Sequence, residues 1–198
     1  MTNAINVSLL QWMSAGADPT PWVLLAGSVF ALWGSTLCAA PMLWAGWNKR
    51  PERLYLVAVV AGAALASLLS HLIAVWFDIP RPFVIGLVPA YIVHSASAAL
   101  PSTHATVMFF IGFAFMLRAA LRPAGAVVLV LAALTGWARI YVGVHSPIDI
   151  VAGVALAGLL TGAFALLQLR WVPLLARHRA ARNLRRNGPV NNTEWRAS

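Results

Sequence analysis

The 198 residues are 61% hydrophobic and only 10% charged, with a formal net charge of +9 and a mean hydropathy of +0.78. A water-soluble domain carries roughly 25% charged residues, so five acids and one lysine cannot coat such a surface, and disorder, which needs low hydrophobicity, is excluded as well. A lone Cys38 rules out an internal disulfide framework.

What remains is an all-α integral membrane protein, because a β-barrel would show short alternating strands in place of long apolar runs. The positive charge is then a signal of sidedness and not of a nucleic-acid partner. The stretch 5–15 is too short to span and reads as a short interfacial helix. It is not read as a signal peptide, since no Lys or Arg precedes its apolar residues. Five apolar stretches follow, at about 21–46, 54–77, 102–119, 123–143 and 147–170. Each approaches the ~20 helical residues that cross ~30 Å of hydrocarbon. The third is the shortest. The expected organisation is a bundle of about five transmembrane helices over residues 1–170, followed by a basic tail, 171–198, that ends in a loosely ordered polar stretch.

The basic residues orient this bundle. Lys49, Arg50 and Arg53 lie between the first two spans, Arg118 and Arg122 between the third and fourth, and Arg170, Arg177, Arg179, Arg182, Arg185, Arg186 and Arg196 beyond the fifth. Twelve of fourteen Lys and Arg thus fall on one side, which the positive-inside rule makes cytoplasmic. The N-terminus is expected outside and the C-terminus inside.

The outer side then holds Asp78, Arg81, His94, His104, Arg139, His145 and Asp149, with His71 close by in the second span. Ionisable groups near membrane depth are costly without partners. As single residues they read equally well as ordinary loop polars; as a set, that reading is poor. Between the last two spans, Ser146, Pro147 and Asp149 form a helix-start pattern of cap, first-turn proline and third-position acid. Asp149 is therefore a capping acid, a group that accepts the ring N–H of His145 and so strengthens its other nitrogen as a nucleophile, or both. Pro101-Ser102-Thr103-His104 opens the third span in the same way. Two outward helix N-termini and the guanidinium forks of Arg81 and Arg139 suit an anion such as phosphate. Metal binding is the competing reading of the histidines, but no His-Glu-x-x-His or Cys pair accompanies them. The 83–100 connection is largely apolar, through Phe83, Val84, Ile85, Leu87, Val88, Tyr91, Ile92 and Val93. It reads either as a lid or tail-contacting wall in the membrane interface, or as packing over the bundle.

These residues resemble the type-2 phosphatidic acid phosphatase superfamily, whose pattern is K-x6-R-P, then P-S-G-H, then S-R-x5-H-x3-D. Matching positions are Arg81-Pro82, then Pro101-Ser102-Thr103-His104, then Arg139, His145 and Asp149. The stretches from Asp78 to Val84 and from His94 to His104 are similar to bacterial undecaprenyl diphosphatases of the bacitracin-resistance type. Three positions depart from the pattern: Ala74 stands where Lys is expected, Thr103 replaces Gly, and Ala138 replaces Ser.

The resemblance implies His145 as nucleophile forming a phosphohistidine, Asp149 as its orienting partner, and His104 as proton donor and then water activator. Arg81, Arg139, Ser102 and Thr103 would hold phosphate oxygens. With the Lys missing, help from His71 or His94 is implied, and His94 is either a contact for a second phosphate or a solvated loop histidine. No cofactor or metal is implied. The implied partners are a polyprenyl or phospholipid phosphate and the surrounding membrane lipids. The implied activity is hydrolysis of a polyprenyl diphosphate at the outer face of a bacterial cytoplasmic membrane. Phosphatidylglycerol phosphate, phosphatidate, or phosphate transfer to another lipid is the alternative within the same chemistry. A transporter is the alternative of another class. Against it, the ionisable residues cluster at one face and not near the midplane.

Overall fold

In the computed structural model the structure describes residues 3–186, with side chains described as far as Arg170; the expected polar end lies outside these residues. The described chain is helical, with no strand among the described residues. It divides into two compact units at Gly162 and Ala163. The second, where described, is helical, with side chains described only as far as Arg170. Everything below concerns the first.

The opening stretch forms α1, Ala4–Met13, capped by Asn3, whose side chain accepts from the Ile5 N–H. Leu10 is its one buried residue and packs with Val88 and Ile140. Trp12 and Ile5 are exposed on the other side, so the helix is one-sided, as a surface-lying segment requires.

The first expected span is two helices, α2 (Pro21–Leu37) and α3 (Ala39–Asn48), interrupted at Cys38. Pro41 has no N–H to donate to the carbonyl of Leu37 four residues earlier, and its ring crowds that turn. Together α2 and α3 still make a 28-residue apolar segment. The second span is α4, Arg53–Phe77, ended by Asp78 in the left-handed conformation. The fourth is α6, Arg122–Tyr141, with a proline in its first turn. The last is α7, which starts at Pro147.

Among the described residues, four segments are thus long and apolar enough to cross a membrane. The remaining expected span, 102–119, is shorter than the sequence suggested. Helix α5 covers Thr103–Met116, 14 residues, or roughly 21 Å at 1.5 Å per residue. The N–H groups of Leu117 and Arg118 turn back to carbonyls three residues earlier. That tightens and ends the helix before a short 3-10 turn, Ala119–Leu121. Arg118 lies with its guanidinium 4.5 Å from the Tyr55 ring centre.

Helix α6 is the hub, packed against both α5 and α2, with α4 on the far side of α5. Close approach is built in by small residues. A side chain at Gly34 of α2 would collide with Thr135 of α6, and one at Gly153 of α7 would meet Ser102 and Ala105 of α5. Gly153 therefore lets the start of α5 sit against the first turns of α7. The apolar 83–100 connection divides its residues between two roles. Phe83, Val88, Tyr91 and Ile92 pack over the bundle, while Val84, Ile85 and Val93 stay exposed.

Candidate active site

The connection between α4 and α5 and the turn between α6 and α7 meet at one end of the bundle. They border a single cavity of about 190 Å³, whose lining includes His71, Ala74, Arg81, His94, Ser97, Thr103, His104, Arg139 and His145. Backbone bonds fix the two connections to each other. Ser102 N–H donates to the Asp149 carbonyl at 3.0 Å, and Tyr91 N–H donates to the Val142 carbonyl at 3.0 Å. Gly143 completes the turn at φ +81°, where a side chain would also strike the Pro89 carbonyl.

His145 is 2% exposed and Asp149 wholly buried. The His145 Nδ1 lies 3.4 Å from Asp149 Oδ2, and the same oxygen accepts the Ser146 N–H at 2.7 Å. With its proton on Nδ1, His145 turns the Nε2 lone pair towards the cavity, where Arg81 Nη1 donates to it at 3.1 Å. The 3.4 Å contact is long, and Asp149 Oδ1 is buried without a partner, so the carboxylate has unused accepting capacity beside the ring. Asp149 thus both accepts at the start of α7 and contacts the His145 ring. The Ser146 hydroxyl makes no hydrogen bond. The helix start is served instead by the acid and by Asn6 of α1, whose Oδ1 accepts the Ile148 N–H at 3.1 Å.

Burial pulls the His145 imidazole down to about 4, with the positive charges of Arg139 and Arg81 adding to the effect and Asp149 opposing it. The ring is therefore neutral at pH 7, and its Nε2 lone pair accepts from Arg81. The sign is definite: a base with a lowered pKa keeps its unprotonated form through the usual histidine range near 6.5 and loses it only as the pH falls towards 4. Protonation of the His145 ring is therefore expected well below pH 6.5. An NMR titration of the His145 ring with its midpoint near 6.5 would contradict this environment.

Arg81 and Arg139 are 6% and 3% exposed. Arg81 donates to the Val144 carbonyl at 3.0 Å and through Nη2 to Ser97 Oγ and the Ala98 carbonyl, both at 3.3 Å. Arg139 donates to the Ala31 carbonyl of α2 at 3.1 Å and to His94 Nε2 at 2.8 Å. Each guanidinium also holds an Nε–H with no partner. Burial lowers the Arg81 pKa, against the pull of Asp149. Burial also lowers His94, opposed by the Ser95 carbonyl and reinforced by the two arginines. His94 is thus tied to Arg139 as a neutral acceptor, its ring 6.5 Å from that of His145.

His104 lines the cavity one residue into α5. Thr103 lines it too, its hydroxyl 3.1 Å from that of Ser70. The first-turn N–H groups of Thr103 and His104 have no intrahelical acceptors. Ser102 is fully buried and does not border the cavity; its hydroxyl accepts the Ala105 N–H at 3.5 Å as the helix cap. Among the sequence-selected residues His71, Arg81, His94, Thr103, His104, Arg139 and His145 share one cavity, and Asp149 stands directly behind it. Ser97, the Ala98 carbonyl, Ser70 and Asn6 carried no sequence signal, since each acts through a contact with a distant segment. Among the described residues, no group of three or more His, Cys, Asp or Glu is arranged to hold a metal ion.

Residues 55–173 match the family model of the PAP2 superfamily. Over 162 residues the chain is 30% identical to a protein of Escherichia coli (strain K12) provisionally named undecaprenyl-diphosphatase YbjG, covering 81% of this chain and 80% of that one. It is 33% identical over 115 residues to undecaprenyl-diphosphatase BcrC of Bacillus subtilis (strain 168), 58% of each chain. Among solved structures it resembles a transmembrane PAP2-type phosphatidylglycerolphosphate phosphatase from Bacillus subtilis. The TM-score is 0.61 at 20% identity, over 85% of this chain and 88% of that one.

Proposed function

The chain belongs to the PAP2 superfamily of membrane lipid phosphatases, and from that premise we propose that it hydrolyses undecaprenyl diphosphate to undecaprenyl phosphate and inorganic phosphate. The observation that carries the reading is the pairing of neutral, buried His145 with Asp149 behind it and Arg81 and Arg139 beside it, around one cavity. Names of relatives add the substrate: two similar proteins are named undecaprenyl-diphosphatases.

The proposed reaction runs in two steps. His145 Nε2 attacks the terminal phosphorus in line; a P–N bond forms as the bond to the bridging oxygen breaks, and the electron pair leaves with the lipid monophosphate. Arg81 passes the donor that now faces Nε2 to a phosphoryl oxygen, which frees the lone pair at the moment of attack. Arg139 and the α5 N–H groups hold the other equatorial oxygens, where charge gathers in the transition state. His104 protonates the departing oxygen, then takes a proton from the water that attacks the phosphohistidine. Asp149 stabilises the positive ring of that intermediate. Ser102 contributes by capping α5 and fixing its N–H groups.

The protein is multi-pass. In this reading it lies in a bacterial cytoplasmic membrane with the N-terminus and the site outside and the basic segments, including the 171–198 tail, inside. Sidedness rests on Lys49, Arg50, Arg53, Arg118 and Arg122 lying at the bundle end away from the site. The test is phosphate release by purified protein from undecaprenyl diphosphate, phosphatidate and phosphatidylglycerol phosphate, each with and without EDTA. Undecaprenyl diphosphate is expected to be the best substrate, with the rate unaffected by chelator because two guanidinium groups and two helix ends supply the positive field. A rate lost to EDTA and restored by a divalent ion would overturn the metal-free chemistry. Preference for a phospholipid would overturn the substrate.

A further inference from the structure

Two of the three departures from the family pattern, Ala74 and Thr103, line the reaction cavity, and they do so with His71. The third, Ala138, lies in the apolar core. His71 and Ala74 are three residues apart on α4 and so share a face. Thr103 faces them from α5, its hydroxyl held at 3.1 Å by Ser70 of α4. The cavity therefore has two ends. His145 and the arginines form a buried end, while His71 is exposed at the other and Thr103 and His104 lie half-buried along the wall. Where the pattern carries a long cation and a residue without a side chain, this chain has a methyl group, a hydroxyl and an imidazole.

We infer that His71, Ala74 and Thr103 form the subsite for the second phosphate of a diphosphate ester, and that Ala74 is its size-determining residue. The inference rests on the diphosphatase reading above and deepens it. In-line attack from His145 places the leaving group across the phosphorus from Nε2, on the side of His104. A diphosphate leaves as a lipid monophosphate, so that side must accept an anion as large as the one being transferred. A lysine rising from position 74 would occupy this space and bind only the transferred group. Alanine opens it, and the Thr103 hydroxyl and the His71 ring N–H supply donors to the second phosphate.

The experiment compares farnesyl diphosphate with farnesyl monophosphate, and inorganic diphosphate with inorganic phosphate as protectants against thermal unfolding. Ala74→Lys is expected to lower the diphosphate-to-monophosphate ratio of kcat/KM at least about 10-fold, the scale of losing a charge-assisted contact. Most of the loss is expected in KM for the diphosphate. His71→Gln and Thr103→Val, which add no bulk should Ala74→Lys fail to fold, are each expected to lower the same ratio about 3- to 10-fold. Protection by inorganic diphosphate should weaken in all three more than protection by phosphate. A ratio and a protection difference that stay at the wild-type values in the variants would overturn the subsite. Wild-type protein that hydrolyses neither ester would overturn the diphosphatase reading alone, because the protection arm still reports whether a second phosphate is held beside Ala74.

Discussion

His145→Ala is expected to remove phosphate release almost completely, by on the order of 10⁴-fold or more, the scale on which enzymes lose a nucleophile. No other group can stand in for it. His94 Nε2 is committed to Arg139 at 2.8 Å, and among the described residues no carboxylate pairs with His104 as Asp149 pairs with His145. The substitution empties a buried position next to the Gly143 turn, so the variant must be shown to elute and melt like the parent. Residual activity within about 10-fold of wild type in a folded variant would remove His145 from the mechanism.

Asp149 carries the second large effect, and two substitutions separate its roles. Asp149→Asn can leave its amide oxygen where Oδ2 now accepts from Ser146 N–H at 2.7 Å and faces His145 Nδ1. The ring keeps its orientation and tautomer but loses the negative charge that stabilises a phosphorylated imidazole. A loss of roughly 10²- to 10³-fold in kcat is expected, within the range for groups that assist a catalytic base. Asp149→Ala also removes the acceptor for Ser146 N–H and frees the ring to turn, so a further loss of about 10-fold is expected, with a lower melting temperature. Wild-type activity in Asp149→Asn, with loss only in Asp149→Ala, would mean that Asp149 only caps α7.

Much of this site was legible because its parts are local in sequence. Pro147 and Asp149 announce the start of α7, Pro101 and Ser102 announce that of α5, and the fixed spacing from Arg139 to Asp149 sets the turn between. The even number of helices between the two clusters put them at one end. Contacts between distant segments were not legible. Nothing in Asn6 marks it as the acceptor for Ile148 N–H, 142 residues away, and nothing in Ser97 marks it as a partner of Arg81. The third span already read as the shortest, but its end at Met116 was hidden because Leu117 is as apolar as the helix it follows. The break at Cys38 was visible only in Pro41, which apolar length alone overrode. His94 read either as a contact for a second phosphate or as a solvated loop histidine, and only the path of the 83–100 connection brings it to Arg139.

That His145 takes the phosphoryl group is the central claim, and trapping the intermediate tests it most directly. The protein is mixed with undecaprenyl diphosphate radiolabelled on the terminal phosphate, quenched in alkali within the first turnover, and digested with trypsin. Peptide 140–170 contains His145 as its only histidine, whereas peptide 54–118 holds His71, His94 and His104. Slowing the second step with His104→Ala should raise the trapped fraction. The account requires alkali-stable, acid-labile label on 140–170, absent from the His145→Ala protein. Label on 54–118, or a first-turnover burst of free phosphate with no label on the protein, would contradict it.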